Sequence, residues 1–312
     1  MILQTENKLY HFVRAVRPRQ WIKNGVVFAP IIFKGELFEI DFFFRTVLAF
    51  IYFCVIASAI YLINDCRDLE SDRAHPIKKD RPIAAGKISV KEALTAGLIT
   101  LATAIPSAYI LIGSYFGTVL LFYTILQFAY IFKLKNIIIV DALAIATGFI
   151  LRVFSGALAI PISISSWLVL AVTGVSLLLA FGKRRAERTL LQAKGISNEK
   201  TRKLLKHYPD TLLDSMISMS ASFAIITYSL FTFQTSPDRG IGVILEEFLP
   251  STLIGAKLLM LTIPFVIYGV ARYLYVIYEK RQGESPERIL ISDKPLLFNT
   301  ILWAVIVIFI TN

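Results

Sequence analysis

The run Asn64-Asp65-Cys66-Arg67-Asp68-Leu69-Glu70-Ser71-Asp72 places four acidic residues and a carboxamide within nine positions, directly after an apolar stretch from Val47 to Ile63. Carboxylates at the end of such a stretch are costly, and in a membrane protein they mark a functional site by default. Read as helix, Asp65, Asp68 and Asp72 fall at i, i+3 and i+7, on one face. Three oxygen ligands on one face suit Mg2+, which keeps several waters and takes its other ligands from a substrate phosphate. The plainer alternative is a solvated acidic helix end. That arrangement opposes the helix macrodipole, which favours cations at a C-terminus.

The loop that follows carries Lys78, Lys79 and Arg81, and is punctuated Arg81-Pro82-Ile83-Ala84-Ala85-Gly86. Metal-binding carboxylates beside such cations are what a magnesium-diphosphate site needs, because the metal bridges phosphate oxygens and the cations take the remaining charge. A loop that is basic only for reasons of topology accounts for the charge but not for the punctuation. The two cysteines, Cys54 and Cys66, show no metal or redox spacing, and the three histidines are scattered, so zinc has no case.

These residues need a membrane scaffold to hold them. The chain is 56% hydrophobic with a mean hydropathy of +0.65, which describes an integral membrane protein. Nine apolar segments can be marked, near 21–33, 43–64, 93–113, 115–132, 137–160, 164–182, 214–234, 251–278 and 295–311. The first is short, and a count of eight follows if it is re-entrant. Most of the 33 Lys and Arg residues precede the first segment or fall in alternate connections, around 67–91, 133–135, 183–206 and 280–294. The positive-inside rule makes that side cytoplasmic, with the N-terminus and the acidic run on it and the C-terminus outside. The net charge of +11 thus reflects topology, and nucleic acid is excluded as a partner, since no independent basic domain exists. No cleavable signal peptide is visible ahead of Arg14, Arg17 and Arg19. The expected fold is all-α and integral to the plasma membrane: a single domain over 1–312, with about nine transmembrane helices around a central cavity open to the cytoplasm.

Asn-Asp-x-x-Asp-x-x-x-Asp at the end of the second span, followed by Arg-Pro-x-Ala-Ala-Gly, resembles the UbiA superfamily of intramembrane prenyltransferases over essentially the whole chain. That resemblance implies Asn64, Asp65, Asp68 and Asp72 as the Mg2+-diphosphate site. The prenyl-diphosphate-using members carry a second aspartate-rich motif after the sixth span. Here that place reads Gly182-Lys183-Arg184-Arg185-Ala186-Glu187-Arg188, basic where the pattern is acidic. The sequence is most similar to the decaprenyl-phosphate phosphoribosyltransferase branch, through Arg17-Pro18-Arg19-Gln20-Trp21-Ile22-Lys23-Asn24, Tyr61-Leu62-Ile63-Asn64-Asp65, Gly182-Lys183-Arg184 and Gly283-Glu284-Ser285-Pro286-Glu287. The implied donor, 5-phosphoribosyl 1-pyrophosphate, has one diphosphate and one separate phosphate. One acidic site plus separate cations suits it.

Further candidate substrate-binding residues are Lys23 at the mouth of the first span, Tyr61, Tyr130 and Lys135 beside the loop after the fourth span, and Arg152 within the fifth. Lys23 reads equally as a snorkelling interfacial lysine, and Lys133 as a topology charge. Arg152 either meets a ligand or forms an ion pair, for instance with Asp141, and Arg272 poses the same question. The stretch 184–207 and the segment 279–294 are candidate surface caps or plain connectors. The cations assigned to phosphates are Lys78, Arg81, Lys135, Arg152, Lys183 and Arg184. The expected reaction is Mg2+-dependent phosphoribosyl transfer to a polyprenyl phosphate. The expected partners are a phosphorylated small-molecule donor, that lipid and the membrane, with a homo-oligomer left open. Two alternatives stand beside it: a prenyltransferase using a prenyl diphosphate and an aromatic or isoprenoid acceptor, and a cation-dependent lipid-binding or transport protein.

Overall fold

A computed structural model describes residues 2–75, 77–193, 208–235, 258–280 and 286–312. Among the described residues every regular element is helical. This suits lipid, because a helix satisfies its backbone donors and acceptors within one segment. A short helix α1 (Ile2–Ala15) leads into a 3-10 stretch (Pro18–Phe28) and α2 (Ala29–Lys34). Then come α3 (Ile40–Arg67), the short α4 (Leu69–Ala74), α5 (Val90–Leu111), α6 (Ser114–Phe132), α7 (Val140–Ala159) and α8 (Ser166–Ala193). The remainder is α9 (Asp210–Gln234), α10 (Ile263–Tyr278), α11 (Pro286–Ser292) and α12 (Lys294–Thr311).

Eight helical stretches among the described residues are long and apolar enough to cross a membrane. The protein is an integral membrane protein, and large apolar side chains such as Ile110, Tyr115 and Phe309 face outward where lipid would lie. The segment expected as the first span is not one α-helix. Its 3-10 part gains about 2 Å per residue, so Pro18–Phe28 and α2 together reach roughly 30 Å, near the hydrocarbon thickness. The segment runs alongside α3 and α7. Its backbone comes so near α7 that a Cβ on Gly156 would lie 2.0 Å from the Val27 carbonyl oxygen. Only glycine permits that approach.

One buried cluster joins Val27 to α3, α5 and α6 through Phe53, Phe116, Leu120 and Tyr123. A second joins α7 to α8, α9, α10 and α12 through Phe181, Leu213, Ile217 and Val276. Arg67, Lys135, the Arg184 part of α8, Tyr278, Lys280 and Asp293 all gather at one end of the bundle, with the acidic run. At the other end Thr311 and Asn312 bond to the Ile32 carbonyl, and the Asn312 side chain accepts from the Leu37 amide.

The connector expected after the sixth span is, over 183–193, a continuation of α8. Its charged residues are good helix formers, and the Arg184–Glu187 pair (2.9 Å) supports it at i, i+3. The rest of the expected cap, 194–207, lies outside the described residues. So do 236–257, with the start of the eighth apolar segment, and 281–285, with part of the Gly283–Glu287 string.

Candidate active site

The acidic run straddles a break in the helix. Helix α3 ends at Arg67, Asp68 leaves helical geometry at φ −88° and ψ 12°, and α4 resumes at Leu69. The break decides which carboxylates meet. Asp65 and Asp72 converge: both accept from the same Arg81 nitrogen, Nη1, at 3.0 and 2.6 Å. Asp68 turns instead to Lys135, whose Nζ lies 2.6 Å from its Oδ1. The even three-carboxylate face expected from an unbroken helix is therefore replaced by a pair and a separate third.

Arg81 reaches back because its loop is packed down. Ile83 and Ile88 bury themselves with Leu62 of α3 and Ala93 of α5, and Arg73 donates to the Ala84 carbonyl. The Arg-Pro-x-Ala-Ala-Gly string closes by bonds from the Ala85 amide to the Arg81 carbonyl and from the Lys87 amide to the Pro82 carbonyl. Gly86 sits at φ 72°, which a side chain would strain. The punctuation is thus the turn that aims Arg81. Helix α5 then starts on a capping box between Ser89 and Glu92.

A residue that the sequence reading left out of the site completes it. Arg17 donates to Asp65 Oδ1 and lies over the Tyr61 ring, 5.0 Å from its centroid. Its backbone is left-handed (φ 56°, ψ 62°), which costs a residue with a Cβ about 1–2 kcal/mol. The sequence signal was an arginine directly before Pro18, where right-handed helical geometry is disfavoured. Burial pushes the Asp72 carboxyl above the ordinary carboxylate range, and Arg81 works against that shift. Lys78 contributes a further positive charge near Asp72. Asn64 is half-buried beside Asp65.

Other expected residues are placed differently. Arg184 is fully buried; it donates to Asp141 at 2.7 Å, to Glu187 at 2.9 Å and to the Tyr130 hydroxyl at 3.2 Å. Asp141 also accepts from Tyr208 at 2.6 Å, and the Tyr208 hydroxyl accepts from the Ile139 amide at 2.6 Å. Burial and the Asp141 contact push the Tyr208 hydroxyl up, so it remains a donor. Arg152 therefore does not pair with Asp141. It lies about 16 Å farther along α7, donating to Asn24 at 2.8 Å and Tyr123 at 2.6 Å, with the rings of Tyr123, Phe149 and Phe53 around it. The structure sets Arg152 in the bundle interior rather than with the acidic run. Lys23 donates to Gln20 at 2.5 Å, next to Trp21, whose indole N–H bonds Ser58 on α3. Lys183 is half-buried one residue before Arg184. Arg272 is a structural pair: it forks onto Asp293 at 2.9 and 3.1 Å, and Lys280 joins at 2.6 Å.

Among the described residues no three carboxylate, imidazole or thiolate groups stand close enough to enclose an ion. The donor set nonetheless fits a hard divalent cation that keeps open positions. Two buried carboxylates already face a single positive atom, and oxygen from water or a phosphate would complete the shell. The arrangement can bind an oxygen-rich anion through a metal and hold its other charges with Arg and Lys.

Residues 26–183 match the profile described as the UbiA prenyltransferase family. The chain is 35% identical over 303 residues to a decaprenyl-phosphate phosphoribosyltransferase of Mycolicibacterium smegmatis, covering 96% of this chain and 91% of that protein. It is 33% identical to the protein of the same name from Corynebacterium glutamicum, covering 93% and 83%. In fold it is similar to a UbiA homologue from Archaeoglobus fulgidus solved with GPP and Mg2+, at a TM-score of 0.63, 15% identity and coverage of 96% and 99%. It is also similar to digeranylgeranylglyceryl phosphate synthase, at a TM-score of 0.59, 20% identity and coverage of 96% and 97%. The helical membrane bundle shares its fold with the solved structures, and the profile match together with the two relatives shows that the chain is a membrane transferase and belongs to the UbiA prenyltransferase family.

Proposed function

We propose that the protein transfers a phosphoribosyl group from 5-phosphoribosyl 1-pyrophosphate to the phosphate of a polyprenyl phosphate and releases pyrophosphate. The observation that carries this reading is the contrast between two places among the described residues. Asp65, Asp68 and Asp72 share one end of the bundle, while the place of a second acidic motif holds Lys183, Arg184, Arg185 and Arg188. Arg185 and Arg188 there are matched to Asp214 and Asp210. One metal-diphosphate clamp with separate cations suits a donor with one diphosphate and one distant phosphate. The relatives named as decaprenyl-phosphate phosphoribosyltransferases support the same substrate class.

Asp65 and Asp72, with Asn64 and Asp68, would hold Mg2+, which when bound draws charge from the departing diphosphate. Lys78, Arg81 and Lys135 stand where they can take phosphate oxygens, with Lys183 and Tyr130 farther along the same end. As the C1–oxygen bond to pyrophosphate breaks, an acceptor phosphate oxygen forms the new bond to C1. That nucleophile is already an anion, so it needs little help from a general base. By the distribution of basic residues the site faces the cytoplasm and the C-terminus lies outside, in the plasma membrane. The whole chain acts as one transferase domain.

The test supplies purified protein in nanodiscs with Mg2+, polyprenyl phosphate and either 5-phosphoribosyl 1-pyrophosphate or a prenyl diphosphate with an aromatic acceptor. Mass spectrometry of extracted lipid should show a phosphoribosyl adduct. Turnover of prenyl diphosphate alone, with no pyrophosphate released from the sugar donor, would refute the reading.

A further inference from the structure

At the acidic centre Asp65 and Asp72 form a floor, and Arg17 and Arg81 lie over it. The Asp65 and Asp72 side chains are 2% and 4% exposed, whereas Arg17 and Arg81 above them are 22% and 25% exposed. Their guanidinium partners are the more solvent-accessible members of each pair. Asp65 is also contacted twice, by Arg17 and Arg81, while Asp72 accepts from Arg81 and has the Lys78 charge nearby. When Arg17 departs, Arg81 still contacts both carboxylates.

The chain also holds Arg17 in an expensive conformation. Its left-handed backbone falls between the end of α1 and the rigid Pro18, and the Tyr61 ring supports the guanidinium from one side. Non-glycine residues in such geometry persist where their surroundings fix them, often at functional sites. A guanidinium fork suits phosphate oxygens at least as well as a carboxylate.

We propose that Arg17 is a donor-binding residue: when a metal-bound diphosphate arrives, its guanidinium leaves Asp65 to the metal and takes a diphosphate oxygen. This rests on the metal-diphosphate reading above. It makes Arg17 an exchanging partner rather than a fixed brace for Asp65.

The test uses Arg17→Gly and Arg17→Lys in nanodiscs. Glycine adopts the left-handed backbone without strain, so the first variant removes the guanidinium while leaving the turn intact. Mn2+ binding is measured by electron paramagnetic resonance, alone and with inorganic pyrophosphate, and KM is measured for each substrate. In Arg17→Gly, Mn2+ alone should bind as in wild type or more tightly, and pyrophosphate affinity in the presence of Mn2+ should fall at least ~10-fold, about 1.4 kcal/mol. KM for 5-phosphoribosyl 1-pyrophosphate should rise in parallel, with KM for polyprenyl phosphate unchanged. Arg17→Lys should recover part of the loss. Pyrophosphate affinity within twofold of wild type in a variant with the wild-type melting temperature would overturn the proposal. Equal losses with and without pyrophosphate would do so too, since they assign Arg17 to bracing Asp65. Should Arg17→Gly not fold, wild-type pyrophosphate affinity in Arg17→Lys is the overturning result. Failure of the wild-type protein to bind Mn2+ with pyrophosphate would bring down the metal-diphosphate reading itself.

Discussion

Replacing Gly156 with Ala sets two effects of opposite sign against each other. In a helix interior, alanine is favoured over glycine by about 1 kcal/mol, so propensity alone makes the variant more stable. The new Cβ, however, would sit 2.0 Å from the Val27 carbonyl oxygen and 3.0 Å from its carbon. Restoring ordinary contact requires the 3-10 segment to retreat from α7 by about 1.5 Å. Overpacking of this kind costs about 1–3 kcal/mol. The retreat also stretches the 2.8 Å bond from Arg152 to Asn24, three residues before Val27, and a bond to a buried charge contributes about 1.5–3 kcal/mol. The contact terms win, and the net destabilisation should be about 2–4 kcal/mol. Thermal unfolding followed by tryptophan fluorescence reports on it well, because Trp21 lies on the moving segment and bonds Ser58. A variant as stable as wild type, or more so, would refute the packing argument.

Three further outcomes are expected. Asp65→Asn should lower kcat/KM on the order of 10²–10³-fold with the fold retained, and chelation should abolish turnover until Mg2+ is restored; initial rates with labelled donor check both. Arg184→Met leaves Asp141 buried without its cation and should cost about 3–5 kcal/mol in thermal unfolding, with part recovered by adding Asp141→Asn. Arg272, and then Lys280, hold the Asp293 carboxyl well below the usual carboxylate range. A depressed carboxyl contributes stability that is present above its unfolded pKa, about 3.9, and is lost as pH falls toward the folded value. Wild type should therefore be more stable than Asp293→Asn at pH 7, with the gap closing below about pH 4 in melting curves.

The sequence reveals where a charge is costly more readily than what offsets it. The long apolar runs and the acidic cluster were legible because burial of twenty apolar residues, or of carboxylates at a helix end, has few alternatives. Partner choice is a different matter. Arg152 was open to a ligand, to Asp141 or to a carboxylate elsewhere; Asp141 went to Arg184, 43 residues away, and Arg152 found Asn24, 128 residues away. Helical spacing put Asp65, Asp68 and Asp72 on one face, but the break at Asp68 redirected the middle one toward Lys135. Arg17 escaped because its role depends on a left-handed backbone that no apolar pattern signals. The first apolar segment was marked at its place, yet neither its 3-10 geometry nor its close approach to α7 at Gly156, which is tertiary, shows in an apolar pattern.

The carboxylates of the acidic centre carry their own counter-charges: Asp65 with Arg17, Asp72 with Arg81, Asp68 with Lys135. Such a site asks nothing of a metal while the chain is being inserted and assembled. This separates it from small metal-nucleated domains, in which binding energy is folding energy and chelators unfold the chain. Stripping divalent metal with a chelator should accordingly leave the melting temperature of the protein unchanged.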